Sequence, residues 1–78
     1  MMKQDYFKSK ASMYLFALLE ITGKVQLDLL GITYNHYKDK ESAKNWYEDI
    51  MKTIKNSNHT NLENAIRNLK MLYAGMLG

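Results

Sequence analysis

Along the second half of the chain, apolar positions recur with the period of an α-helix. Ala43, Trp46, Tyr47, Ile50, Met51 and Ile54 follow an i, i+3, i+4, i+7, i+8, i+11 series, which is one face of a helix. Leu62, Ile66, Leu69, Tyr73 and Met76 make a second such face, widened by Ala65 and Leu72. Glu63, Asn64, Arg67, Asn68 and Lys70 fall on its water side. The polar stretch Lys55-Asn56-Ser57-Asn58-His59 joins the two. A loop that short predicts an antiparallel helical hairpin over about 40–55 and 61–76, with Trp46, Tyr47, Ile50, Ile66, Leu69 and Tyr73 buried against one another and Leu30 packed on them.

The first half is patterned less cleanly. Phe7, Ala11, Tyr14, Leu18, Ile21, Val25 and Leu29 keep a helical spacing straight through Thr22-Gly23, so the first helix either ends at Gly23 or continues with a weak point there. Seven consecutive residues, Met13-Tyr14-Leu15-Phe16-Ala17-Leu18-Leu19, are apolar or aromatic, more than one contact face requires. The hairpin is expected to cover Tyr14, Leu18, Ile21 and Val25. That leaves Met13, Phe16 and Leu19 facing outwards as a site for self-association or a partner helix, since exposed strips of large apolar side chains mark interaction surfaces. The alternative is that residues 62–77 wrap the first helix from two sides and bury the whole strip.

Local punctuation completes the outline. Gly31 suits a helix C-terminus because glycine tolerates left-handed backbone. Residues 32–38 read as a loop packed by Tyr34 and Tyr37, Asp39 or Ser42 as the cap of the next helix, and Thr60-x-x-Glu63 as a capping box. The expectation is a single all-α domain, residues 1–78, of three to four helices around a central antiparallel hairpin. Residues 1–23 form an additional N-terminal helix.

At 78 residues the core lies near the lower limit for independent stability and leaves no room for a large cleft. Without cysteine, no disulfide or thiolate metal site can supplement it. The 46% hydrophobic content without proline suits a compact helical domain rather than a disordered tail. Lys3, Lys8 and Lys10 before the apolar run imitate a signal peptide, yet Glu20 interrupts the run and no small-residue cleavage site follows. The run also falls well short of the ~20 apolar residues that cross a bilayer. We therefore expect a cytoplasmic protein that does not enter the membrane.

Candidate chemistry is sparse. The eight carboxylates are scattered, mostly at helix starts or on water-facing sides, and form no acid/base pair. His36 and His59 fall in expected loops without Cys, Asp or Glu at ligand spacing, and read as ordinary surface histidines. There is no phosphate loop or nucleophile motif. No catalytic, cofactor or metal site is assigned, and an enzyme is not expected. A net charge of +3 is too small to choose among nucleic acid, anionic lipid and an acidic protein surface. One reading does involve DNA. Leu29-Leu30-Gly31-Ile32-Thr33 resembles the turn of a helix-turn-helix, with residues 34–40 as the helix entering the major groove and Asn35, His36 and Lys38 reaching bases and phosphates. Leu27 and Lys40 depart from the residue types that motif prefers.

The same string, together with its spacing from the Trp46 and Tyr73 stretches, resembles J domains, the Hsp70 co-chaperone modules. Asp28-Leu29-Leu30-Gly31 is similar to the end of that family's first helix, Ala43-Lys44-Asn45-Trp46-Tyr47 to its second-helix signature, and Ile66-x-x-Leu69-x-x-Leu72-Tyr73-x-x-Met76 to its third-helix pattern. The resemblance runs from Val25 to Met76, within a J-like part of residues 24–78. It implies a hairpin scaffold whose second helix and adjoining loop, here Lys44, Lys52, Lys55 and His59, meet a partner such as an Hsp70 or another J protein. Two departures matter. J domains carry His-Pro-Asp in that loop to stimulate Hsp70 ATPase, and this chain has no proline; Glu48 and Asp49 also interrupt the basic face. The expected function is thus a non-catalytic J-like protein-interaction module that cannot stimulate Hsp70, with a helix-turn-helix DNA-binding regulator as the alternative.

Overall fold

The computed structural model describes residues 9–57 and 59–78; Lys3, Phe7, Lys8 and Asn58 lie outside them. Five helices follow in order: α1 (Lys10–Leu19), α2 (Gly23–Leu29), α3 (Tyr34–Lys38), α4 (Lys40–Ile54) and α5 (Leu62–Leu77). No strand occurs among the described residues. The fold is all-α as expected, but with five helices among the described residues rather than three or four.

Helices α4 and α5 pack on each other as the central hairpin, and α1 lies against both. Each of the three contributes a fully buried alanine, Ala17, Ala43 and Ala65, and so small a side chain lets helix backbones approach closely. Around them Tyr14, Leu15, Leu18, Leu30, Trp46, Ile50, Ile54, Leu69 and Met76 complete the buried core. Tyr47, Ile66 and Tyr73 are half-buried at its margin. Two contacts knit the expected landmarks together. The Trp46 indole Nε1 donates to the Leu30 carbonyl at 2.8 Å inside the core, and the Tyr47 and Tyr73 rings stack with centroids 4.4 Å apart.

Helix α1 stops early. Glu20 is its C-cap, with its N–H bonded to the Phe16 carbonyl at 2.8 Å, and the chain restarts at Gly23 with φ +77°. The apolar spacing across Thr22-Gly23 is therefore carried by two helices, and α2 does not keep the register of α1. As a result Val25, expected against the hairpin, is 59% exposed. A helix end inside a packed domain must satisfy its last carbonyls. Two side-chain amides do so: Gln26 Nε2 donates to Ala17 O at 3.0 Å and Asn68 Nδ2 donates to Leu18 O at 2.8 Å. Asn68 is therefore not on the water side; it bridges α5 to α1. Asn68→Ala is expected to cost about 1–3 kcal/mol by leaving a part-buried carbonyl unpaired, whereas Asn64→Ala, at an exposed site, should change the urea midpoint little.

Helix α2 ends in a Schellman motif. Gly31, at φ +72°, donates to Asp28 O, while Ile32 N donates to Leu27 O at 2.9 Å, the paired bonds that close a helix on left-handed glycine. Beyond it, residues 34–38 form α3 rather than a packed loop. Thr33 N donates to His36 Nδ1 at 2.9 Å, so the imidazole serves the helix start as a capping-box glutamate would. Tyr34 and Tyr37 are 76% and 47% exposed and pack no loop. Asp39, in extended conformation, breaks the helix and caps α4, accepting from Glu41 N and from the Ser42 hydroxyl. The Thr60–Glu63 capping box is absent: Asn61 is the N-cap of α5 and makes no side-chain cap bond.

Candidate functional site

Where α1 ends, it passes the loop between α4 and α5. That loop is held locally: Ser57 N donates to Ile54 O at 2.9 Å, Ser57 Oγ accepts from His59 N, and Asn61 N donates to His59 Nδ1 at 3.1 Å. Between the two lies an open groove of about 450 Å³, lined by Ser12, Leu15, Phe16, Leu19 and Glu20 from the α1 side and Ser57 and His59 from the loop. Leu15 is buried, Leu19 half-buried and Phe16 40% exposed. Ser12, Phe16 and Leu19 share one helix face at i, i+4 and i+7. An apolar bed with hydroxyl, carboxylate and imidazole groups around it can seat an apolar side chain and hydrogen-bond the backbone carrying it.

Three residues singled out from the sequence, Phe16, Leu19 and His59, thus meet in one groove. The others do not join them. Met13 is half-buried against the core and forms no outward strip with Phe16. Lys44, Lys52 and Lys55 are exposed along α4 and do not line the groove; Glu48 and Asp49, also exposed, interrupt them. Ser12, Leu15, Glu20 and Ser57 are groove residues that sequence reasoning misses. For the first three the available signal is their helical spacing from Phe16 and Leu19. Ser57 has none, because only the tertiary fold brings the loop to α1.

The histidines have backbone duties. His36 Nδ1 and His59 Nδ1 each accept a main-chain N–H, and the His36 ring lies 5.9 Å from Trp46. Among the described residues no three His, Asp or Glu side chains gather as metal ligands do. Nor is any described helix long and apolar enough to cross a membrane.

The helix arrangement also bears on DNA binding. In a helix-turn-helix the two helices pack on each other and the second presents its N-terminal residues to the groove. Among the described helices α2 approaches only α1, and α3 approaches only α4 and α5. The segment 34–40 is cut at Asp39, which leaves five residues in α3 and puts Lys40 in the next helix. Lys38 Nζ lies 5.2 Å from the Tyr34 ring centroid.

No family model matches the chain, and no curated protein or solved structure matches it significantly.

Proposed function

We propose that this chain is a non-catalytic protein-interaction module, J-like in build, that receives an apolar segment of a partner protein in the groove between the end of α1 and the α4–α5 loop. The observation that carries the reading is the convergence of Phe16 and Leu19 with His59 in one groove. The two α1 residues and His59 come from opposite halves of the chain, and the sequence marks the pair and the histidine on separate grounds as partner contacts. The groove is lined by a buried leucine, a partly exposed aromatic and hydrogen-bonding groups, the composition of interface centres where a few anchors carry most of the affinity.

The J-like part of the proposal is supported by the α4–α5 hairpin and by the contacts from Trp46 to Leu30 and from Tyr47 to Tyr73, which join the three stretches carrying that resemblance. In this reading the partner is an Hsp70, another J protein or a second copy of the chain. The loop lacks His-Pro-Asp, so the module occupies a partner without stimulating ATP hydrolysis. Lys44, Lys52 and Lys55, outside the groove, contribute long-range charge only, and the working compartment is the cytoplasm.

Site-specific photocrosslinking in the native host tests this. With p-benzoylphenylalanine in place of Phe16, a discrete protein adduct should form; with the same group at exposed Glu63 on α5, it should not. Identification of the adduct names the partner. Absence of any protein adduct at position 16, or cross-links to nucleic acid only, would overturn the reading.

A further inference from the structure

A helix of seven residues is far below the ~12–15 at which isolated helices become even marginal in water, so α2 depends on what it packs against. It packs against little. No residue of α2 is buried, Val25 is 59% exposed, and α1 is the only one of the described helices it approaches. Leu29, at its very end, is partly buried against the core. Among the described residues its one side-chain bond to another helix is Gln26 Nε2 to Ala17 O, at 3.0 Å. The Lys24–Asp28 ion pair, 3.3 Å and largely exposed, lies within the helix and holds it to nothing.

The points on either side are held firmly. Before it, Leu18 O is bonded to Asn68 of α5; after it, the buried Leu30 accepts from Trp46 of α4, both at 2.8 Å. Between these moorings the backbone enters α2 through Gly23, at φ +77° with nothing within 4 Å of where a Cβ would stand. Beneath α2 lies a second groove, of about 320 Å³, lined by Leu19 of α1, Met71 and Leu72 of α5 and, from the α2 side, Ile21 and Gln26.

We propose that residues 21–29 form a strap that opens as a unit over the α1–α5 seam while the moorings at Leu18 and Leu30 stay closed. Opening breaks the Gln26 bond and removes one wall of the second groove. Leu19 and Glu20 line both grooves, so the open strap joins them into one longer trough, and a partner occupying that trough holds the strap open. This coupling rests on the function proposed above. The opening itself does not.

Native-state hydrogen exchange of the full chain, read amide by amide, tests the strap without a partner. Local opening lets a segment exchange without global unfolding. Amides of residues 27–30 should exchange on the order of 100-fold faster, after correction for intrinsic rates, than those of residues 50–54 in α4. Gln26→Ala should quicken residues 27–30 by a further factor of about three to ten, the worth of one hydrogen bond, and leave residues 50–54 unchanged. Equal protection of the two segments in the wild type, or equal acceleration of both by Gln26→Ala, would overturn the proposal. Should the variant not fold, the wild-type comparison still decides. Because the cross-link at position 16 is read independently, failure of the strap and failure of the partner groove are told apart.

Discussion

Trp46→Ala is expected to cost about 3–5 kcal/mol, the usual consequence of emptying a buried aromatic site. A domain of this length has roughly 4–12 kcal/mol of stability in all, so the loss is a large share of the total and the urea midpoint should fall steeply. Two effects add at this position. The side chain, 8% exposed, fills the space between the hairpin and the chain that leads into α3. Its indole N–H is also the donor to the Leu30 carbonyl, and truncation strands that carbonyl in the core. Trp46→Phe separates the effects: it keeps much of the volume, loses the donor, and should cost about 1–3 kcal/mol. Urea unfolding followed by circular dichroism measures both. A Trp46→Ala variant within about 1 kcal/mol of wild type would contradict this account of the core.

Leu69→Ala should cost nearly as much, about 2–5 kcal/mol. Leu69 has no exposed surface and is, with Ile50 and Ile54, among the largest fully buried side chains. It belongs to the buried core, on the helix that packs against α4, α1 and α3. Helices whose axes are set by buried alanines cannot collapse into the gap, so most of the cavity should persist. Met71, two residues on and 66% exposed, is the control. Met71→Ala should shift stability by no more than ~0.5 kcal/mol. Similar losses at 69 and 71 would show that the apolar face of α5 has been assigned to the wrong side.

The hairpin is legible in the sequence because each of its faces repeats over several turns, long enough for period to outweigh composition. Asp39 and Gly31 are legible because their roles depend on local backbone alone. The differences between sequence and structure are of another kind. Val25 gains a place in the core only if a period is extended across residues 20–22, where the helix is broken and the register lost. Helix α3 looks like a loop because its first turn is served by His36, a residue type that does not announce a capping box. Asn68 is polar and sits one position before Leu69, and nothing nearby in sequence shows that the end of α1 needs its amide. Phe16, Leu19 and His59 can each be named, but their meeting depends on how α1 lies across the hairpin. That is set by contacts between residues far apart in the chain.

The bond from Asn68 to the Leu18 carbonyl joins residues 50 positions apart, and that interval is also a delay. On a ribosome adding about 5–20 residues per second, the segment that covers Leu15, Ala17 and Leu18 is made roughly 3–10 s after they are. For that time the most apolar run in the molecule has no hairpin to lie on. Helix α1 is synthesised well before the hairpin it packs on, and the nascent chain depends for those seconds on whatever shields an exposed apolar strip from its neighbours.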